Sequence, residues 1–344
     1  MATGDGSMTG ILPADQFREV IVKVDETTNP DYGFTSLDNL PIEHLLKNGV
    51  VCLDKPSGPT SHEVATWVRK ILKADRAGHS GTLDPAVTGI LPMGIGNATK
   101  AMQALLPAGK EYVCVMELHD VAEEFEIRRV IAEFTGKLYQ KPPLRSSVKR
   151  VLRVREVYYS KIIEIKGRIV LFRVGCEAGT YIRKLCFDIG EVLGVGAHMR
   201  ELRRTRVGKF SESDHLCSLH DLTDAYHFWI EDKDDTELRK YLLPLELALN
   251  HLPYITVRDT AVDAICHGAD LAASGVVTLT TGIKKKDLVA LKTMKGEAIA
   301  LARSADTSDR IAKAKSGIVT ITERVFMERG RYPRMWKKKD SAST

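Results

Sequence analysis

The segment with the clearest chemical content is Gly78-His79-Ser80-Gly81-Thr82-Leu83-Asp84-Pro85, which sets two glycines and a proline around one carboxylate. Glycines permit unusual backbone angles, and Pro85 restricts Asp84 to extended ones, so such a loop can aim a side chain in a fixed direction. An aimed carboxylate can serve as a nucleophile or as the electrostatic partner of a carbon that is losing its leaving group. The same residues also make a plain turn, and composition alone does not separate the two. Other chemically suggestive residues carry less. The six cysteines form no C-x-x-C pair, and Cys52 and Cys114 sit among apolar neighbours, which reads as small buried residues. His215-Leu216-Cys217-Ser218-Leu219-His220 lacks further spaced ligands, so no metal site is expected.

The elements that must position Asp84 are legible on either side of it. Gly49–Asp54 is a compact apolar run and is predicted to be a strand, ended by Lys55-Pro56-Ser57-Gly58-Pro59. Thr60 and Glu63 have capping-box spacing, and Val64, Trp67, Val68, Ile71 and Leu72 continue it as an amphipathic helix. Beyond the loop, a strand is predicted over 111–118, a helix over 123–134 stopped near Gly136, and a hairpin over 157–175 turning at Lys166-Gly167. Thr180 is expected to cap a helix stopped by Gly194, and 235–249 to form a helix that Pro244 kinks or divides. Residues 1–15 read as disordered, 17–24 as a short strand, and 41–46 as a short helix. After Pro253 short β-rich runs at 276–280, 287–293, 297–302 and 317–325 suit a small β-barrel.

With 344 residues, 44% hydrophobic and 28% charged, two globular domains are expected. The net charge of +5 is compatible with a polyanionic partner without demanding one. Basic residues cluster at 145–155, 199–209, 284–286 and 329–339, although any single cluster reads equally as a solvated face. No stretch is apolar enough to span a bilayer and the first residues have no hydrophobic signal region, so a soluble, intracellular protein is expected.

The loop and its continuation through Ala86–Pro92 to Ala98-Thr99-Lys100 resemble the signature of the TruB family of pseudouridine synthases. Four further blocks follow that family's order: Lys55–His62, Lys110-Glu111-Tyr112, Gly179–Arg183 and Leu202–Gly208. Five blocks in order make coincidence very improbable. Tyr139–Arg150 is similar to the substrate-gripping loop of the dyskerin branch, and the segment Lys315–Trp336 is similar to its archaeal members. His267–Leu271 with Gly275 resembles the core of a PUA domain.

The resemblance implies an α+β fold: a catalytic domain with a mixed, mainly antiparallel sheet and flanking helices, then a small β-barrel PUA domain. The implied boundaries are an extension at 1–30, the catalytic domain at 31–252, the PUA domain at 253–336 and a basic tail at 337–344. It implies isomerisation of uridine, in which the glycosidic bond breaks, the base turns and C5 joins C1′. That reaction requires no cofactor and no metal. Asp84 matches the nucleophile, and Arg183 is its implied cation. Tyr112 would stack on the flipped base, and Tyr181 would lie near the departing C5 proton. Leu202 would pack beneath the base, and His79 would help displace the nucleotide. Lys141, Arg145, Lys149 and Arg150 suit contacts to substrate phosphates. Gly268, Ala269, Asp270, Leu271 and Gly275 are the implied guide-RNA contacts.

Implied partners are an H/ACA guide RNA, a ribosomal or transfer RNA substrate, two small H/ACA core proteins and a kink-turn-binding protein. The resemblance to archaeal members implies a cytoplasmic location. A stand-alone transfer-RNA synthase is the alternative. A non-catalytic scaffold is disfavoured by the intact Asp84, Tyr112, Tyr181 and Arg183, and a glycosidase by the lack of a second motif carboxylate.

Overall fold

A computed structural model describes residues 10–142 and 149–335. The chain divides into two compact units, one gathering residues up to Gln16, Val51–Met93 and Leu105–Tyr241, the other Phe17–Val50, Gly94–Ala104 and the chain from Leu242 onward.

The first unit is built on a mixed sheet. Its central strand, Ala197–Val207, pairs antiparallel with Lys110–Leu118. On its other side it meets Thr88–Ile95 in parallel, at Thr88 and Gly89. Antiparallel neighbours continue outward from Lys110–Leu118 through Ile169–Cys176 and Arg153–Lys166 to Gly136–Gln140. Helices Glu124–Glu133 and Ile182–Leu193 pack on one face around Cys114, Phe172, Val174, Leu185 and Ile189. All six cysteines are buried thiols.

Several local expectations hold. Thr60 Oγ1 accepts from Glu63 N–H at 3.2 Å, and Thr60 N–H donates to Glu63 Oε2 at 2.8 Å, so both halves of the box start helix Ser61–Ile71. Gly194 closes Ile182–Leu193 with φ of 75°, a left-handed angle that glycine adopts without penalty.

Others are corrected. Residues 10–15 are not loose: Leu12 is fully buried and Asp15 grips Arg206 through two hydrogen bonds of 2.9 and 2.7 Å. Thr180 does not cap its helix; Tyr181 is the N-cap, with no side-chain cap bond, and Thr180 Oγ1 donates to Glu177 O at 2.8 Å. The hairpin turns at Gly167-Arg168, since Lys166 still pairs with Ile169. Residues 235–249 are divided rather than kinked, the second of the two expected outcomes. Helix Thr236–Tyr241 gives way to strand Leu242–Pro244 and a 3-10 turn Leu245–Leu249, because proline cannot donate to a continuing helix.

In the second unit a seven-stranded sheet runs in the order Val20–Val22, Val276–Thr280, Tyr254–Val257, Leu288–Lys292, Ala298–Ser304, Ile318–Val325 and Leu271–Ala272. The expected strand at 17–24 is thus an edge strand of the C-terminal sheet, with Ile21 opposite Leu279. Its core includes Ile255, Val257, Val289, Ile299 and Tyr332. Lys284, Lys285 and Lys286 lie exposed in a turn, Lys286 at φ of 72°. No helix among the described residues is long and apolar enough to cross a membrane.

Candidate functional site

The Asp84 loop is fastened mainly through its backbone. Lys55, fully buried, donates from Nζ to Pro56 O at 2.9 Å, Pro85 O at 3.0 Å and Val87 O at 2.9 Å. Ser61 Oγ accepts from Leu83 N–H at 2.9 Å and donates back to Leu83 O at 3.2 Å. Gly58 N–H donates to Pro85 O at 2.9 Å. The first block, Lys55–His62, therefore acts as a bracket for the loop that follows it. Three donors on one ammonium satisfy three carbonyls that would otherwise be left in a dry interior.

The side chain of Asp84 stays in the open. It is 57% exposed and pairs with Arg183, itself 55% exposed, through Arg183 Nη2 and Asp84 Oδ2. Arg183 comes from the first turn of Ile182–Leu193, whose start is set by Gln140. The Gln140 side chain, 2% exposed, accepts from Tyr181 N–H at 2.9 Å and donates to Tyr181 O at 3.1 Å. Gln140 escaped the sequence reading. Its only signal was its place beside Tyr139 at the start of the gripping segment; its burial shows only in the fold.

Tyr112 lies on the Lys110–Leu118 strand, half-buried, directly across from Arg204. Burial pushes its phenol pKa up, and the Arg204 guanidinium opposes that shift. Leu202 faces Cys114 across the same strand pair and packs against the core beneath. His79 is half-buried and accepts from Gly81 N–H at 3.4 Å through Nδ1. Burial, with Arg204 and His62 adding to it, lowers its pKa, so the ring is neutral at pH 7. A concave space lined by His62, Arg69, Arg76 and His79 adjoins this loop.

The remaining residues fall elsewhere. Lys141, Lys149 and Arg150 are exposed at the two ends of the gripping segment, Arg150 Nε donating to Pro142 O at 3.3 Å. Arg145 lies outside the described residues. In the second unit Gly268, Ala269 and Asp270 are exposed, and Asp270 Oδ1 accepts from Thr322 N–H at 2.9 Å. Leu271 and Gly275 are buried against one another, a Cβ on Gly275 falling 2.8 Å from Leu271 Cδ1. The Leu271 side chain therefore belongs to the core and offers RNA no surface.

The first unit thus presents an exposed carboxylate–guanidinium pair on a braced loop, a tyrosine on the neighbouring strand and a histidine upstream. Comparison with known proteins gives the relatives of the chain as a whole. A model of the TruB family pseudouridylate synthase N-terminal domain matches residues 69–182, and one of the tRNA pseudouridylate synthase B C-terminal domain matches 183–250. A PUA domain model matches 253–326 and a DKCLD (NUC011) domain model 11–65. A probable tRNA pseudouridine synthase B of Methanopyrus kandleri is 55% identical over 325 residues, 94% of this chain and 96% of that protein. The protein of the same description from Pyrococcus furiosus is 54% identical over 331 residues, covering 96% and 97%. A crystal structure of a Cbf5–Nop10–Gar1 complex superimposes with a TM-score of 0.92 at 53% identity, covering 94% of this chain and 99% of that one. A structure of an H/ACA RNP bound to a substrate RNA containing 2′-deoxyuridine gives a TM-score of 0.90 at 51% identity, covering 95% and 100%.

Proposed function

We propose that this chain, which belongs to the TruB family of pseudouridylate synthases and is an RNA pseudouridine synthase, is the catalytic subunit of an H/ACA guide complex that isomerises chosen uridines in ribosomal RNA, with Asp84 as nucleophile. The observation that carries the role of Asp84 is its pairing with Arg183 on a loop whose backbone is held by Lys55, Ser61 and Gly58. A bound backbone with an exposed side chain is what a nucleophile needs, because the attacking atom must be aimed yet reachable.

The steps follow from the residues. The target uridine leaves the stack and rests on Tyr112, with Leu202 below and His79 filling the gap left behind. The Asp84 carboxylate attacks, the glycosidic C–N bond breaks and the base turns; the bond to the carboxylate then breaks as C5 joins C1′, which frees Asp84. The C5 proton then leaves beside Tyr181. No electron is gained or lost overall. Lys141, Arg145, Lys149 and Arg150 hold substrate phosphates. Residues 31–252 form the catalytic domain and 253–336 the guide-binding PUA domain, where Gly268, Ala269 and Asp270 meet RNA. Leu271 and Gly275 shape that site from below.

The partners proposed are the guide RNA, two small core proteins and a kink-turn-binding protein, supported by the likeness to the Cbf5–Nop10–Gar1 and RNA-bound complexes. A cytoplasmic location goes with this reading. The second reading, a stand-alone transfer-RNA synthase, is favoured by the descriptions of the curated relatives.

Asp84→Asn tests the nucleophile. Single-turnover pseudouridine formation should vanish while RNA affinity and melting temperature stay near wild type, since a neutral amide is a far poorer nucleophile. Turnover persisting in the purified variant would remove Asp84 from this role.

A further inference from the structure

Arg204 is 1% exposed and is among the largest fully buried side chains of the described residues. Its neighbours on the strand are paired conventionally: Arg203 with Asp54 and Glu212, Arg206 with Asp15. Arg204 makes no such pair with any described carboxylate. Its Nε donates to Ile90 O at 2.9 Å and its Nη2 to Gly81 O at 3.4 Å, and the guanidinium lies close enough to the Tyr112 phenol to oppose the rise that burial gives its pKa. Gly81 lies upstream of Asp84 and Ile90 downstream. The Arg204 backbone also pairs with both Gly89 and Tyr112. Gly89 is obligatory there: its φ is +103°, and a Cβ would stand 2.2 Å from Arg204 O.

Burying a guanidinium without a counter-ion is costly unless its donors are all aimed at acceptors. A rigid fork of donors can satisfy such a set in one geometry, which a lysine point charge cannot. Arg204 also faces the cations Lys55 and Lys110, whose pKa values it helps lower, so its position is electrostatically unfavourable and its use must lie in geometry.

We infer that Arg204 is a positioning residue: its single fork fixes the strand carrying Tyr112 against both ends of the Asp84 loop, and so sets the distance between the stacking ring and the nucleophile. This rests on the proposed roles of Asp84 and Tyr112. The Arg204–Tyr112 contact also has a signature of its own. The guanidinium pulls the phenol pKa down against burial, so losing it lets the phenol rise.

The test uses the full chain with guide and substrate RNA, in Arg204→Met and Arg204→Lys. In Arg204→Met, single-turnover pseudouridine formation should fall about 10²-fold while RNA Kd changes less than about threefold, the loss expected for a reacting group misplaced by roughly 1 Å. Arg204→Lys should recover only part of that rate. The Tyr112 phenol is read by ultraviolet titration as the difference between each variant and its Tyr112→Phe counterpart; it should ionise at higher pH in Arg204→Met than in wild type. If Arg204→Met does not fold, Arg204→Lys with and without Tyr112→Phe decides: losses that do not add support the shared contact, and additive losses overturn it. An unchanged rate per folded molecule, a loss wholly in RNA affinity, or an unmoved phenol would also overturn it. The titration needs no turnover, so an inactive wild-type assembly would sink the proposed activity while the phenol still decides Arg204.

Discussion

Lys55 in the first unit and Lys23 in the second make the same contacts. Lys55 Nζ donates to the carbonyls of Pro56, Pro85 and Val87; Lys23 Nζ donates to those of Ala273, Ile311 and Ala314, at 2.8, 3.1 and 2.7 Å. Each ammonium is saturated by backbone oxygen. What it holds differs. Lys55 bolts down a loop whose next exposed side chain is Asp84, facing Arg183. Lys23 bolts the N-terminal edge strand to a sheet where Val20 pairs with Thr280 and Val22 with Thr278. The lesson is that a cation clamped by carbonyls is a generic way to fix a backbone. Chemistry depends on what the fixed backbone leaves exposed.

Three changes should sharpen that contrast. Arg183→Met strikes the exposed pair and should lower single-turnover rate by about 10²–10³-fold, the loss seen when one preorganised charge donor is removed. Arg183→Lys should restore only part, since an ammonium cannot reproduce the guanidinium fork. A variant near wild-type rate would mean that the pair is ornamental and the comparison empty. Lys23→Met strikes the other clamp. It should destabilise the second unit by on the order of 2 kcal/mol, the net worth of hydrogen bonds from a charged group at a partly exposed site. Guide binding should weaken with it, while the rate on RNA already bound should hold. A fall in that bound-state rate equal to the Arg183 variants would contradict the division of labour.

The third change concerns pH. His44, in the second unit, is held neutral by burial and by Arg331, its pKa pushed down to about 4. Its Nδ1 accepts from Arg331 Nη2 at 3.2 Å. An unfolded histidine takes a proton near pH 6.5, which the native ring refuses until about 4. Stability from this group is therefore full above 6.5 and is lost as the pH falls toward 4. His44→Gln should flatten the denaturant midpoint of the second unit across that window. An equally steep dependence in the variant would place the effect in another group.

The same contrast explains what was legible in the sequence. The Thr60–Glu63 box was readable because both partners lie within one turn, so local spacing decides the outcome. Ser218 and Asp221 have the same local spacing, and their box starts helix Leu219–Asp232. Thr180 misled because its hydroxyl had a closer acceptor in Glu177 O. The strand Ala197–Val207 was read as a basic cluster and, from Leu202 on, as a family block, with no role given to its individual arginines. Its arginines look alike in sequence, yet Arg203 is half-buried against two carboxylates and Arg204 lies in the core. Burial of a charge is decided by partners distant in sequence, here Gly81, Ile90 and Tyr112, and no local pattern announces it. Resemblance pointed to Asp84 and Arg183 together, and the fold brings them into contact across 99 positions. The braces at Gln140 and Arg204 needed the fold to be seen.

The most direct measurement of the central claim is pseudouridine mapping on a ribosomal RNA transcript, with wild type and Asp84→Asn, under two guide RNAs of different pairing sequence and with none. The account predicts that wild type modifies the uridine each guide presents, that the modified position moves when the guide is exchanged, and that Asp84→Asn modifies neither. Modification at the same uridine whatever the guide, or undiminished modification by Asp84→Asn, would contradict it.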